Sequence, residues 1–281
     1  MDVAMLGTGK MGGAMARRLH EQGHTVHLWN RTPGRAQVVG IGTVYATPAQ
    51  AAARAEVVLS ILTGTDAVRS VYLGPHGALE AGSGRVYVDL TTASPEVHVE
   101  VAAAAAAQGA SFVEAPVLGS IPAVASGSLV LLVGGDPHAV ERAQPVLESL
   151  GELRRIGPLG AGIRLKLVAN TYLAVTHAAA AELLAAGTAG GLDVEAVFAV
   201  LVRIVPYLEA RRAGFVEGRY EPVLFRMADM VKDLGLALNL YRRSGAETPL
   251  TLVAEDLFTR AAQEENGELD IPAVAEIFRR R

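Results

Sequence analysis

The feature that most constrains the fold is a glycine-rich turn near the start of the chain. Residues 3–6 form a short apolar run, the sequence Gly7-Thr8-Gly9-Lys10-Met11-Gly12 follows at once, and an Ala- and Arg-rich stretch comes next. This is G-x-G-x-x-G between a strand and a helix. The first glycine allows the tight turn, the second lets the backbone approach a pyrophosphate, and the third lets the helix pack on the strand. The turn therefore predicts a dinucleotide site at a helix N-terminus, where negative charge is favoured.

The first 160 residues alternate between apolar strand-like runs and helical stretches. Strands are predicted at residues 3–6, 25–29, 57–61, 86–89, 111–115 and 129–133. Helices are predicted at residues 10–22, 48–53, 67–73, 95–108 and 137–150. This alternation predicts an α/β fold, in which a doubly wound Rossmann domain over residues 1–160 carries helices on both faces of its sheet.

The pattern changes after Gly160-Ala161-Gly162, where strand-like runs end. A long helix is predicted over residues 163–188, with further helices at 194–204, 222–241 and 250–264 and a short one after Pro272. We expect residues 161–281 to form an all-α domain for substrate binding and dimerisation, joined through a long inter-domain helix. That helix is apolar nearly all round and needs burial, so a homodimer or homotetramer is expected.

Composition excludes several classes of protein. The 281 residues include no cysteine, which excludes disulfides, thiolate metal ligands and a cysteine nucleophile. The net charge is -4 and no basic tract occurs, so nucleic acid is not an expected partner. The apolar runs are too short to span a membrane. The seven histidines lack the spacing of metal ligands, so no metal is predicted, and the simplest interpretation is a soluble cytoplasmic protein.

The end of the second predicted strand indicates the nicotinamide cofactor. NAD-binding folds usually place an acidic residue there to hold the ribose 2′-hydroxyl. This chain has Asn30, Arg31 and Thr32 instead, with Arg35 four residues after the first arginine. A guanidinium can bind a 2′-phosphate that a carboxylate would repel, so NADP is predicted over NAD by about 2 kcal/mol, with NAD still possible.

Four segments carry a resemblance to a known family. The N-terminal GTGKMGGAMARRL is similar to G-x-G-x-M-G-x-x-M-A-x-x-L, and residues 89–95 (DLTTASP) to D-x-S-T-x-S-P. Residues 114–129 (EAPVLGSIPAVASGSL) look like D-A-P-V-S-G-G-x-x-G-A-x-x-G-x-L, and residues 160–170 (GAGIRLKLVAN) match G-x-G-x-x-x-K-x-x-x-N. The chain thus resembles the β-hydroxyacid dehydrogenases, and the Gly-Ser then Pro-Ala form of the third segment is closer to the glyoxylate/succinic semialdehyde reductase branch.

The resemblance implies roles for several residues. Thr92 is expected at the nicotinamide side of the cofactor, and Leu62 and Thr63 beside its adenosine half. Residues 225–237 resemble the family's K-D-L-x-L-A helix, so Lys232 is expected to reach the cofactor or substrate and Asp233 to set the charge or position of Lys166.

Lys166 is the predicted general acid/base. It lies four residues before Asn170, so the two share one helix face. As an ammonium, Lys166 would stabilise the charge that develops on the substrate oxygen and donate a proton to it, while Asn170 orients the substrate or the lysine.

The predicted substrate site includes Leu118, Gly119 and Ser120. Small residues at 119 and 120 let backbone N–H groups converge on a carboxylate, whereas Leu118 replaces the family's serine and removes a hydroxyl donor. Phe225, seven residues before Lys232, is predicted to lie on the same helix face as that lysine and to wall the pocket.

Together these features predict an NADP-preferring oxidoreductase that interconverts a small hydroxyacid and its semialdehyde or keto form. Three alternatives stay open: an NAD-dependent 3-hydroxyisobutyrate dehydrogenase, an imine reductase-like enzyme and a non-catalytic nucleotide-binding scaffold. Arg31 and Leu118 disfavour the first, and Lys166 disfavours the second. A non-catalytic scaffold is disfavoured because it would give Lys166, Asn170 and Lys232 no function.

Overall fold

The computed structural model describes residues 1–263 and 266–279, and the chain divides into two compact units, residues 1–166 and 167–281. Strands of the first unit are β1 (Asp2–Leu6), β2 (Thr25–Trp29), β3 (Thr43–Val44), β4 (Val57–Ser60), β5 (Val86–Asp89), β6 (Ser111–Glu114), β7 (Val117–Leu118), β8 (Leu129–Gly135) and β9 (Gly151–Gly157). Its helices are α1 (Lys10–Glu21), α2 (Pro33–Gln37), α3 (Pro48–Ala52), α4 (Thr65–Leu73), α5 (Pro95–Ala107), α6 (Ile121–Ser126) and α7 (Pro137–Glu148), with a 3-10 turn at Ala78–Ala81. Helix α8 (Ala161–Ala189) begins in the first unit and continues into the second.

The strands of the first unit form one sheet in the order β3-β2-β1-β4-β5-β6-β8-β7. The first six run parallel, β8 is antiparallel to both β6 and β7, and β9 adds to β8 in parallel. Side chains alternate between the two faces along a strand. Val3 and Met5 of β1 accordingly join one core cluster, whereas Ala4 and Leu6 join another. Apolar side chains on both faces require helices on both, which confirms the predicted doubly wound domain.

Strand β9 was not predicted from the sequence. Its residues, GELRRIG, are exposed or half-buried, so apolar residues do not mark it. Pairing with the buried strand β8 makes it a strand, and that long-range contact leaves no local pattern.

The second unit is helical. Its elements after α8 are α9 (Val194–Ile204), a 3-10 helix at Pro206–Arg211, α10 (Arg212–Glu217), α11 (Met227–Arg243), α12 (Pro249–Ala261), 3-10 helices at Asn266–Glu268 and Ile271–Ala275, and α13 (Glu276–Arg279). Phe198, Phe215 and Phe258 are fully buried at its core. Among the described residues, none of the helices combines the length and the hydropathy that a membrane span requires.

The predicted helix over residues 222–241 is wrong at its start, because α11 begins only at Met227. The buried carboxylate of Asp270 accepts the backbone N–H groups of Leu224 and Phe225 at 3.1 and 2.7 Å, which keeps this segment out of a helix. The placement of Phe225 on the helix face of Lys232 is therefore also wrong. The helix predicted at 250–264 is observed as Pro249–Ala261, and Glu264 lies outside the described residues.

Candidate active site

The glycine-rich turn adopts the geometry that its sequence requires. Gly7 has a φ of +94°, and a Cβ on Gly12 would lie 1.9 Å from the carbonyl oxygen of Gly7, so neither position tolerates a side chain. A Cβ on Gly9 would meet no atom within 4 Å, which leaves the backbone open to a ligand. Gly9 is also the N-cap of α1, and no side chain caps this helix.

These features fit a dinucleotide phosphate. The backbone N–H groups of the first turn of α1 need an acceptor, and an anion at the helix N-terminus supplies one. The Thr8 hydroxyl is buried and has no hydrogen-bond partner among the described residues. Lys10 is exposed beside the turn and Met11 half-buried. The accessible backbone of Gly9, the uncapped N-terminus of α1 and the Thr8 hydroxyl thus lie together at the glycine turn.

The residues after β2 are tied to the glycine turn by hydrogen bonds. The Asn30 side chain accepts the Thr8 N–H at 3.0 Å and donates to the Thr32 carbonyl at 3.0 Å, which ties the end of β2 to the glycine turn. Arg31 and Arg35 are exposed, and neither guanidinium has a hydrogen bond or ion pair with the described residues. Both remain available to an anion.

The loops after β4 and β5 lie beside this turn. A Cβ on Gly7 would lie 3.0 Å from Leu62 Cδ2, so the Leu62 side chain borders the turn directly. The Leu62 N–H donates to the Thr91 hydroxyl at 2.8 Å. Thr63 is exposed and Thr92 half-buried. Thr91, which the sequence did not single out, is the buried residue that joins the two loops.

The loop after β7 carries the predicted substrate residues. Leu118 ends β7 and is half-buried. Gly119 has a φ of +120°, and a Cβ there would lie 2.8 Å from Leu129 Cδ2 and 2.9 Å from Ala123 Cβ. Ser120 precedes α6, and its hydroxyl makes no hydrogen bond with the described residues. Only glycine fits at 119, and Gly119 is itself exposed.

Lys166 lies near the beginning of α8 and is half-buried. Residues 157–160 before the helix read GPLG and offer no capping side chain. The Glu114 carboxylate accepts the Gly162 and Ile163 N–H groups at 2.8 and 3.3 Å instead. The turn of helix that precedes Lys166 is therefore fixed by a residue of the sheet.

A second group of candidate residues meets within the helical unit. Asn170 and Asp233 are both 3% exposed, and Asn170 Nδ2 donates to Asp233 Oδ2 at 2.6 Å. Lys232 Nζ donates to the other carboxylate oxygen at 2.6 Å. A carboxylate only accepts hydrogen bonds, so the Asn170 amide must turn its nitrogen toward Asp233 and its oxygen away. The structure thus joins three of the predicted residues, Asn170, Lys232 and Asp233.

Comparison with known proteins places this arrangement in a family. A sequence profile of the NAD binding domain of 6-phosphogluconate dehydrogenase matches residues 2–168, and one for the NAD-binding part of NADP-dependent 3-hydroxyisobutyrate dehydrogenase matches residues 160–278. The chain is 34% identical to 3-hydroxyisobutyrate dehydrogenase of Pseudomonas aeruginosa, over 99% of this chain and 98% of that protein. The chain belongs to the β-hydroxyacid dehydrogenase family.

Other relatives show the range of the β-hydroxyacid dehydrogenase family. Glyoxylate/succinic semialdehyde reductase 2 of Arabidopsis thaliana is 30% identical, over 99% of this chain and 80% of that protein. The structure of 3-hydroxyisobutyrate dehydrogenase from Mycobacterium tuberculosis, with L-serine, superposes with a TM-score of 0.88 at 30% identity and covers 99% of both chains. The chain is accordingly an NAD(P)-dependent oxidoreductase acting on hydroxyl groups, and its fold is that of the 3-hydroxyisobutyrate dehydrogenases.

Proposed function

We propose that this enzyme uses NADPH to reduce a small semialdehyde or keto acid to the hydroxyacid, with Lys166 as the general acid. The observation that carries the proposal is the start of α8. There a half-buried lysine follows a helix turn held by Glu114, and Asn170 stands one helical turn further on. A lysine so placed can act on a substrate proton.

The preference for NADP rests on the residues after β2. The position that usually carries the acidic residue holds Asn30, whose side chain is occupied by Thr8 and Thr32. Arg31 and Arg35 have no carboxylate partner among the described residues, so a 2′-phosphate would not displace an existing ion pair. Guanidinium groups bind phosphate with charge-assisted hydrogen bonds, and this gives NADPH the advantage over NADH.

The glycine turn and the residues after β2 would hold NADPH, which when bound would provide the hydride for the carbonyl carbon of the substrate. Negative charge then develops on the carbonyl oxygen, and the ammonium of Lys166 stabilises this charge and donates the proton. In the oxidative direction the neutral amine of Lys166 accepts the hydroxyl proton. Thr92, Leu62 and Thr63 would border the cofactor in the first unit.

Asn170, Asp233 and Lys232 form the polar group that orients the reactants. Asp233 fixes the Asn170 amide so that Oδ1 is presented as an acceptor for a substrate hydroxyl or for the lysine. The carboxylate of Asp233 also pairs with Lys232, so the three side chains hold one another. Lys232 is also proposed to contact cofactor or substrate.

Leu118, Gly119 and Ser120 are proposed to contact the substrate, whereas the position of Phe225 outside α11 removes the reason for including it. The exposed backbone at Gly119 and the Ser120 hydroxyl suit a carboxylate, and Leu118 adds an apolar side chain beside it. An acid with an apolar chain between its carboxylate and carbonyl groups, such as succinic semialdehyde, fits this mixture better than a more hydroxylated one.

A second candidate function is NAD-dependent 3-hydroxyisobutyrate dehydrogenase. The similarity to the Pseudomonas aeruginosa enzyme over nearly the whole chain favours it. The two candidates share the reaction type and Lys166, and they differ in cofactor and substrate.

A homo-oligomer is also proposed. Leu165, Val168, Tyr172 and Leu183 form one exposed apolar stripe along α8, with Tyr172 66% exposed. A second copy of the chain would cover this stripe. Light scattering after size-exclusion chromatography would distinguish a monomer from a dimer or tetramer.

The proposed function is tested by oxidation of NADPH and NADH in parallel. The panel contains glyoxylate, succinic semialdehyde, tartronate semialdehyde and methylmalonate semialdehyde, with a cyclic imine as a further substrate. Turnover of a carbonyl acid with NADPH at least tenfold above NADH supports the proposal. A preference for NADH with methylmalonate semialdehyde supports the second candidate, reduction of the imine alone supports an imine reductase, and binding of NADPH without turnover supports the scaffold alternative.

A further inference from the structure

Three ionisable side chains are fully buried at the carboxyl ends of the central strands. Asp89 ends β5, Glu114 ends β6, and His98 lies in the first turn of α5; each is 0% exposed. Isolated buried charges are costly, so such a group persists only where the charges are paired and their remaining polar atoms are bonded. The proposed reaction does not itself use any of the three.

The imidazole of His98 joins the two carboxylates. Its Nδ1 lies 2.9 Å from Glu114 Oε2, and its Nε2 lies 2.8 Å from Asp89 Oδ2. Ionised carboxylates only accept, so both ring nitrogens carry a proton and the ring is an imidazolium. Burial opposes this charge, but the hydrogen bonds and charges of Asp89 and Glu114 outweigh it and raise the pKa of His98 to about 9.

The Glu114 oxygen that does not face His98 binds the start of α8. Oε1 accepts from Gly162 N and Ile163 N, two donors that have no partner within the helix. A Cβ on Gly134 would lie 2.5 Å from this oxygen, and a Cβ on Gly162 would lie 3.2 Å from it. Two glycines therefore make the space that this carboxylate occupies.

The Asp89 oxygen that does not face His98 binds residues next to the loops beside the glycine turn. Oδ1 accepts from the hydroxyls of Ser60 and Thr91, both at 2.6 Å. Because the Ser60 proton goes to Asp89, the Tyr72 hydroxyl donates to Ser60 Oγ at 2.7 Å. Thr91 in turn accepts the Leu62 N–H. One continuous network thus runs from the Leu62 backbone to the first turn of α8.

Lys166 stands one helical turn after Gly162 and on the same face of α8. A tilt or rotation of the first turn would move the lysine ammonium relative to the sheet edge. Displacing a reacting group by about 1 Å can cost about 100-fold in rate. We propose that Glu114, oriented by His98 and Asp89, is a positioning residue that fixes the first turn of α8 and thereby places Lys166 for proton transfer.

This inference rests on the proposed role of Lys166 and adds to it a residue that touches neither substrate nor cofactor. It also explains why a buried carboxylate from β6 caps a helix 48 residues further along the chain. A cap that served helix stability alone could be supplied by a serine or aspartate immediately before the helix, as Asp136 does for α7.

The test compares Glu114→Leu with Glu114→Gln. Leucine has a similar volume and removes the acceptor, while His98 keeps its pair with Asp89. Glutamine keeps an acceptor oxygen for Gly162 and Ile163, and its amide can donate to a neutral His98. Asp136→Ala is the matched control, because it removes a helix cap of the same unit far along the chain from Lys166.

Two readouts are measured, kinetics on the most rapidly reduced acid of the panel and hydrogen exchange of the backbone amides at residues 160–168. Glu114→Leu is expected to lower kcat about 30- to 100-fold with the NADPH dissociation constant within threefold, and to speed exchange in this segment. Glu114→Gln is expected to recover kcat to within about fivefold, and Asp136→Ala to lower the melting temperature without changing kcat.

Unchanged kcat or unchanged exchange in folded Glu114→Leu overturns the inference. If Glu114→Leu does not fold, His98→Asn is measured instead, because this variant keeps the Glu114 cap but removes the imidazole that orients Glu114. Unchanged kcat or unchanged exchange in His98→Asn then overturns the inference. Lys166→Ala is assayed alongside. Full activity of Lys166→Ala means that the proposed function is wrong. An inactive Lys166→Ala together with a fully active Glu114→Leu means that only the positioning role of Glu114 is wrong.

Discussion

Asn170 and Asp233 lie 63 positions apart in the sequence, yet their side chains meet in a buried hydrogen bond of 2.6 Å. The bond joins α8 to α11 at the point where the sequence pattern places the functional residues of both helices. Because the same carboxylate also binds Lys232, it fixes an amide and an ammonium at once.

Replacing Asn170 by alanine should lower kcat about 10- to 100-fold, since one oriented hydrogen bond to the reacting group contributes about 1–3 kcal/mol. Steady-state kinetics of the variant test this. Asn239→Ala on the exposed part of α11 is the control and should leave kcat unchanged. Equal activities for the two variants would show that Asn170 contributes only to packing.

Replacing Arg31 by glutamate should reverse the cofactor preference. A carboxylate next to the 2′-phosphate repels NADPH and can accept from the 2′-hydroxyl of NADH, so the ratio of kcat/KM values should shift by about 30- to 100-fold. Arg54→Glu, at another exposed arginine without a partner among the described residues, controls for the change of net charge. The same NADPH to NADH ratio in wild type and Arg31→Glu contradicts the assignment.

Replacing Leu118 by serine should shift activity toward a hydroxylated acid. The new hydroxyl can form one hydrogen bond with tartronate semialdehyde, so kcat/KM for it should rise about five- to tenfold relative to succinic semialdehyde. Leu118→Ala separates the gained hydroxyl from the lost apolar side chain. If serine and alanine give the same ratio, the residue at 118 does not contact that part of the substrate.

The charge on His98 should make stability fall at alkaline pH. Its pKa of about 9 lies above the ordinary value of 6.5, so the contribution is complete below pH 6.5 and is lost as the pH rises through 9. The difference between the two pKa values corresponds to at most about 3 kcal/mol in the free energy of unfolding. Urea unfolding between pH 6.5 and 9.5 measures it.

The control for that titration is His98→Asn, which cannot ionise. The difference in stability between wild type and variant should shrink as the pH rises over this range. A difference that stays constant with pH would mean that the ring is neutral in the folded protein.

The sequence predicts those parts of the molecule that depend on local pattern. The glycine turn, the buried strands and the start of α8 have their signals within about ten residues, and the structure has them nearly at the predicted positions. That Lys166 and Asn170 share one face of α8 follows from helix periodicity, whereas their selection as functional residues came from the family resemblance. That their functional roles follow as well is still a prediction.

The remaining features depend on contacts between distant residues. The start of α11 is set by Asp270, which lies more than 40 positions away, and β9 by its pairing with β8. His98 shows no motif, because its partners are the last residues of two neighbouring strands. The sequence does contain one indication of this partner. Asp89 and Glu114 are acidic residues that end adjacent apolar strands, and such buried carboxylates require a cationic or donor partner.

Lys166 is proposed to donate the proton that accompanies hydride transfer, and kcat of Lys166→Ala tests this directly when the NADPH dissociation constant is measured on the same preparation. Arg164→Ala, an exposed cation two residues earlier on α8, is the control. We expect Lys166→Ala to lose about 100- to 10,000-fold in kcat and to bind NADPH within threefold of wild type, and we expect the control to be fully active. Turnover of every active carbonyl acid within tenfold of wild type would contradict this proposal.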